Sequence, residues 1–98
     1  MLFLNGTLEF GAMRIEGRVS PGFESVREMF EDYFRRGEER HAQLCVYVGM
    51  ECVVDLWGSA DVVEDEDFGP DSLVNVFSST KCIEAIVVAK CVDRGLIR

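Results

Sequence analysis

At 98 residues, 48% apolar and 10% aromatic, the sequence has room for at most one small domain with a packed core and is unlike a disordered segment. Eighteen acids stand against ten Lys plus Arg, a formal net charge of -8, which argues against nucleic acid and anionic membrane surfaces as partners. No apolar run approaches the length of a membrane span.

Residues 1–19 carry no sustained period. Met1-Leu-Phe-Leu4 is apolar but stops at Asn5-Gly6 without a basic flank, so it reads as neither signal nor transit peptide, and an intracellular chain (cytoplasmic or organellar) is expected. On that reading the Asn5-Gly-Thr7 sequon is incidental. A strand fits within Leu2–Phe10 or Met13–Val19, but Gly6, Gly11 and Gly17 interrupt the stretch, which reads as an irregular or weakly extended arm.

Ser20-Pro21 opens a helix predicted over 21–36, with Ser20 as N-cap and Pro21 at the first helical position. Phe23, Val26, Phe30, Tyr33 and Phe34 recur at helical spacing, while Glu24, Arg27, Glu28, Glu31, Asp32 and Arg35 fall on the other face. The aromatic stripe reads as core, and Gly37 as the stop. A hairpin then spans 43–57 about a Gly49-Met50 turn. That turn would put Cys45, Tyr47, Cys52, Val54 and Leu56 on one face, and Leu44, Val46, Val48, Val53 and Trp57 on the other. Both faces are largely apolar, so cover on both sides is expected.

Gly58 to Asp71 reads as a loop. Its acidic run, Asp61, Glu64, Asp65, Glu66 and Asp67, lacks the spacing of an EF-hand and reads as a solvated face. Leu73 to Phe77 has strand character, and a helix follows over 79–93 that is apolar nearly all round and ends near Gly95. Such a helix belongs in the middle of a larger domain.

Cys45, Cys52, Cys82 and Cys91 form no CxxC, and His41 lies beside none of them, so neither a metal site nor a cofactor is expected. All four read as reduced, mostly buried thiols. The diagonal Cys45/Cys52 pair reads as packing, with a redox switch as the other use of two neighbouring thiols.

The candidate chemistry is Ser78-Ser79-Thr80-Lys81, the one Ser-x-x-Lys in the sequence. At a helix start, residues three apart share a face, so a serine hydroxyl and a lysine amine come within reach of each other. Serine is a weak nucleophile until a base takes its proton, and a lysine that is desolvated or near other cations supplies one. The helix N-terminus also aims backbone N–H groups at an incoming oxyanion. The plain structural reading of the same residues is Ser78 as helix cap and Lys81 as a solvated first-turn side chain.

Val54-Asp-Leu-Trp-Gly58, an acidic loop, then Leu73-Val-Asn-Val-Phe-Ser-Ser-Thr-Lys81 and an apolar helix ending Asp93-Arg-Gly-Leu-Ile97 closely resemble the serine β-lactamase-like family. That family includes class C β-lactamases, penicillin-binding DD-peptidases and related esterases. The resemblance runs over roughly residues 20–97, the amino-terminal part of a longer family domain. It implies an α+β, β-lactamase/transpeptidase-like sandwich represented here by a helix, an antiparallel hairpin and a nucleophile-bearing helix, with an incomplete sheet. It divides the chain into the arm, 1–19, and a partial domain, 20–98.

The activity implied is acyl-enzyme hydrolysis of a small ester, amide or β-lactam. Ser78 would attack, Lys81 would take its proton, and the Ser78 N–H would give half of the oxyanion hole. The family's downstream Tyr-x-Asn (or Ser-x-Asn) and Lys/His-x-Gly elements have no counterpart here, and Ser59 and Cys82 depart in minor ways. Little activity is therefore expected of a truncated chain. The alternative is a non-catalytic interaction module that offers its hairpin edge and apolar helix to a partner, and either reading implies self-association. A third reading is an ordinary small α+β domain with an accidental Ser-x-x-Lys.

Overall fold

The computed structural model describes residues 5–10, 13–60 and 68–98. In chain order come β1 (Asn5–Phe10), β2 (Met13–Val19), α1 (Glu24–Arg35), β3 (His41–Val48), β4 (Glu51–Ser59), a 3-10 turn (Phe77–Ser79) and α2 (Thr80–Asp93). The strands make one antiparallel four-stranded sheet in the order β1-β2-β4-β3, which with the helices is the α+β class expected. β2 and β3 both run antiparallel to β4, so α1 is a crossover between parallel strands, laid on one face of the sheet.

The stretch expected to be an irregular or weakly extended arm forms, over its described residues, two strands, β1 and β2. Its glycines break the sequence period for a structural reason. Gly6 and Gly17 stand opposite each other across β1 and β2. Gly17 has φ 115, and a Cβ built there would lie 2.1 Å from the Asp55 carbonyl oxygen of β4. Only a residue without a side chain lets β4 come this close.

α1 begins three residues later than predicted. Phe23 N–H bonds the Ser20 carbonyl at 3.0 Å, with Pro21 second and Gly22 (φ 95) third, the pattern of a type II turn. Ser20 therefore opens a turn and does not cap; the N-cap is Phe23, without a side-chain bond, while Glu24 Oε2 accepts the Gly22 N–H at 2.9 Å. At the other end Gly37 N–H bonds Phe34 O and Glu38 N–H bonds Tyr33 O, a Schellman closure. Gly95 and Leu96 close α2 on Val92 and Cys91 in the same way.

The core lies between the sheet and α1. Met13, Ile15 and Val19 from β2 and Val53, Val54 and Leu56 from β4 meet Phe30 and Phe34, whose ring centroids are 5.3 Å apart. Arg27, expected on the solvent face, is only 6% exposed. Its guanidinium bonds Glu31 Oε1 at 2.8 Å, the Gly17 carbonyl at 3.0 Å and the Gly6 carbonyl at 3.3 Å, tying α1 to the paired glycines.

The hairpin forms about Gly49-Met50, but its faces differ from the simple alternation. Val46 pairs with Val54 and Tyr47 with Cys52, which leaves Val53 as a bulge residue, and Val53 and Val54 are both buried. One extra residue moves everything beyond it to the opposite face. Val54 and Leu56 therefore join Leu44 and Val46 on the core side, while Cys45, Tyr47 and Cys52 lie on the other. The cysteines expected to be mostly buried are not: on that face Cys45 is exposed and Cys52 half-buried, and on α2, away from the sheet, Cys82 is exposed and Cys91 half-buried.

Gly58 and Ser59 belong to β4, so the predicted loop starts later; the acidic run at 61–67 lies outside the described residues. Leu73 to Val76 form no strand, and α2 starts at Thr80. Among the described residues α2 touches no element except the 3-10 turn, and Ile83 (60%) and Ile86 (66%) are largely exposed. The Cα radius of gyration, 17.0 Å, accordingly exceeds the ~13 Å of a compact chain this long. Among the described residues no helix is long and apolar enough to cross a membrane.

Candidate active site

Ser78 lies within the 3-10 turn and Lys81 in the first turn of α2, so the three-residue spacing spans the junction of the two. Ser78 does not cap: the N-cap of α2 is Ser79, in helical conformation (φ -61, ψ -22) and without a side-chain bond. Ser78 and Lys81 are both exposed, and among the described residues no hydrogen bond joins Ser78 Oγ to Lys81 Nζ. Spacing has put the pair on one turn without locking the two groups together.

The backbone before Ser78 carries the local information that the sequence spacing does not. Asn75 Oδ1 accepts the Phe77 N–H at 2.9 Å, and the Val76 carbonyl accepts the Ser79 N–H at 3.0 Å. An Asx turn of this kind stops an extended segment and redirects it. Phe77 then takes φ 48, the one non-glycine among the described residues in the left-handed region. For a bulky residue this is a genuine outlier. The β-rich composition of Leu73–Phe77 predicted a strand; the asparagine in its middle makes a turn instead. Asn75 is therefore a residue the sequence reading passed over, and its only advance signal was an Asx residue two before Phe77.

The lead-in is anchored to the sheet by a second unpredicted residue. Gln43 Nε2 of β3 donates toward the carbonyls of Gly69 (2.7 Å), Ser72 (3.0 Å) and Pro70 (3.2 Å). Ser72 Oγ accepts the Gly69 N–H at 2.9 Å, and the rings of His41 and Phe68 lie 5.0 Å apart. The segment entering the Ser-x-x-Lys turn is thus pinned to the hairpin about six residues upstream of Ser78.

An apolar groove of about 410 Å³ between α1 and β3, lined by Ser25, Val26, Met29, Phe30, Tyr33 and Leu44, includes neither Ser78 nor Lys81. Tyr33, part of the stripe predicted as core, is exposed along it, as is Met29 beside it. Among the described residues no group of three His, Cys, Asp or Glu side chains is placed to hold a metal ion.

Comparison with known proteins bears on the same segment. The family model described as Beta-lactamase matches residues 26–98, a span that takes in most of α1, the hairpin and the Ser78–Lys81 turn. The chain is also 36% identical over 85 residues to the esterase/beta-lactamase LipL of Mycobacterium tuberculosis (strain ATCC 25618 / H37Rv). That alignment covers 86% of this chain and 20% of LipL, so the chain spans about a fifth of the relative's length. No solved structure matches. A family match through three-quarters of the chain and a relative at this identity lead to one assignment: the chain belongs to the beta-lactamase family.

Proposed function

We propose that this chain carries the nucleophile-bearing part of a serine hydrolase that forms an acyl-enzyme on an ester, amide or β-lactam carbonyl. The observation that carries the reading is the family match running through Ser78 and Lys81, joined to a turn that presents both at the start of α2. The name of the relative, esterase/beta-lactamase, supports esters and β-lactams as the substrate classes to try first.

In this mechanism Ser78 Oγ attacks the carbonyl carbon while Lys81, as the free amine, takes the hydroxyl proton. The oxyanion that forms meets the backbone N–H of Ser78, where the first N–H groups of a helix have no intrahelical acceptor. Collapse of the tetrahedral intermediate expels the alcohol, amine or ring nitrogen with a proton and leaves an ester on Ser78. Water then releases the acid and restores the hydroxyl. Tyr-x-Asn and Lys/His-x-Gly elements do not occur in these 98 residues. Removing one oxyanion donor slows catalysis by about 10²–10³, so the expected behaviour of the chain is slow acylation with little turnover.

The test is intact mass after exposure to a reactive β-lactam and, separately, an activated ester, with Ser78→Ala and Lys81→Ala beside the wild type. An adduct on the wild type that disappears in Ser78→Ala and slows in Lys81→Ala supports the proposal. Equal labelling of wild type and Ser78→Ala, or no adduct at all, would sink it for this chain.

A further inference from the structure

Outside the Ser78 turn, the described cluster of nucleophilic side chains is at the tip of the hairpin. Cys45 Sγ and Cys52 Sγ lie 3.9 Å apart on the face of the sheet away from α1. Cys45 is exposed and Cys52 half-buried, so a small reagent reaches the pair from solvent. The two strands already hold each other in antiparallel register on both sides of the pair, with Leu44 opposite Leu56, Cys45 opposite Asp55 and Tyr47 opposite Cys52. The Val53 bulge removes both sulfurs from the core side, where Val53 and Val54 take their place. A disulfide needs its sulfurs about 2.05 Å apart, a closing distance within reach of side-chain rotation. Cys82 and Cys91, nine residues apart on α2, have no comparable contact among the described residues.

From this geometry we infer that Cys45 and Cys52 are an intrachain disulfide site, closed by exchange with a small-molecule disulfide. The exposed Cys45, as thiolate, attacks one sulfur of the oxidant and expels the first thiolate. Cys52 then attacks the Cys45 sulfur of the mixed disulfide and expels the second. Two protein thiols are oxidised to one disulfide, the oxidant is reduced to two thiols, and the two protons leave with them. The bond staples β3 to β4 beside Gly49-Met50, on the strand whose Gln43 holds the 69–72 segment.

The rate has a pH signature. Local desolvation, then the hydrogen bond and charge of Cys52, then Asp55 on β4, push the Cys45 thiol above its ordinary pKa, with Arg18 of β2 opposing. Tyr47, the neighbour on β3, is pushed up by the same two cysteines. Exchange runs through the thiolate, so closure accelerates as pH rises through and beyond the usual thiol range.

The test is to treat the full chain with oxidised glutathione, quench with iodoacetamide, and read intact mass and peptide maps. The expected product is a monomer lacking two hydrogens, with Cys45 linked to Cys52, and Cys82 and Cys91 alkylated. Cys82→Ser/Cys91→Ser should form it as before, and Cys45→Ser or Cys52→Ser should not. Amide exchange around Val48–Glu51 should slow on oxidation. Glutathione retained on Cys45 without resolution by Cys52, or interchain disulfides while Cys45 and Cys52 remain alkylatable, would overturn the inference.

Discussion

Replacing Arg27 by methionine asks how α1 is fastened to the sheet. Methionine keeps much of the buried stem and removes the guanidinium. In the folded chain that guanidinium makes bonds of 2.8 Å to Glu31, 3.0 Å to the Gly17 carbonyl and 3.3 Å to the Gly6 carbonyl. The side chains of Arg27 and Glu31 are 8% and 14% exposed, so water does not readily replace what is lost. Removing one partner of a buried pair typically costs about 3–5 kcal/mol, because the other charge stays behind. Two features pull the figure to the lower end. Glu31 keeps Arg35 at 3.3 Å, and the Gly6 contact is long enough to contribute little. We expect a loss of about 3 kcal/mol. Urea unfolding followed through Trp57 fluorescence and far-ultraviolet dichroism measures it as a lower midpoint at unchanged slope. Arg27→Met/Glu31→Gln removes the stranded charge as well, and should recover roughly 1 kcal/mol of that loss. If Arg27→Met cost less than about 1 kcal/mol, the guanidinium would be behaving as a surface group, and the bridge from α1 to the glycine pair would be wrong.

Gly58→Ala should destabilise by about 1–3 kcal/mol, since its Cβ would stand 2.6 Å from Ile15 Cδ1 and 2.9 Å from Phe34 Cζ. The same urea titration reads this, and an unchanged midpoint would mean that the Phe34 ring does not seat against β4. Gln43→Ala should act locally: its three acceptors lie on an exposed segment, so global stability falls by no more than about 0.5–1.5 kcal/mol. Amide exchange at Ser72, by contrast, should quicken, and an unaltered rate there would refute the anchor.

Much of the layout was legible in the sequence. The 3.6-residue recurrence of Phe23, Val26, Phe30 and Phe34 announces α1, and two β-rich runs about Gly49-Met50 announce the hairpin. The Ser-x-x-Lys block also lies where the pattern put it, at the start of the last helix. What escaped were features that composition cannot encode. Arg27 counts as polar in any periodicity, yet its partners are carbonyls of two glycines brought together by strand pairing. Val53 and Val54 are chemically alike, so nothing in the run says which is the bulge residue, and the face assignment of the hairpin turned on that choice. β1 and β2 were obscured because glycine weakens a strand signal even where close approach of β4 requires it. Leu73–Phe77 erred in the opposite direction: apolar residues suggested a strand, but a strand needs a partner, and Asn75 supplied a turn.

That turn joins the fold to the proposed chemistry. A left-handed conformation in phenylalanine costs about 1–3 kcal/mol, and Phe77 is 78% exposed, so side-chain packing in the described residues offsets little of it. What holds the conformation is hydrogen bonding on either side, from the Phe77 N–H to the Asn75 side-chain oxygen and from the N–H groups of Thr80 and Lys81 to the Phe77 and Ser78 carbonyls. A gentler route from the extended segment into α2 would not need an aromatic residue at positive φ. With Phe77 at φ 48, the 3-10 turn leads directly into α2, and Ser78 is exposed just before the helix. Strain adjoining an accessible serine, with a lysine one turn on, is the arrangement on which the proposed acylation role would draw.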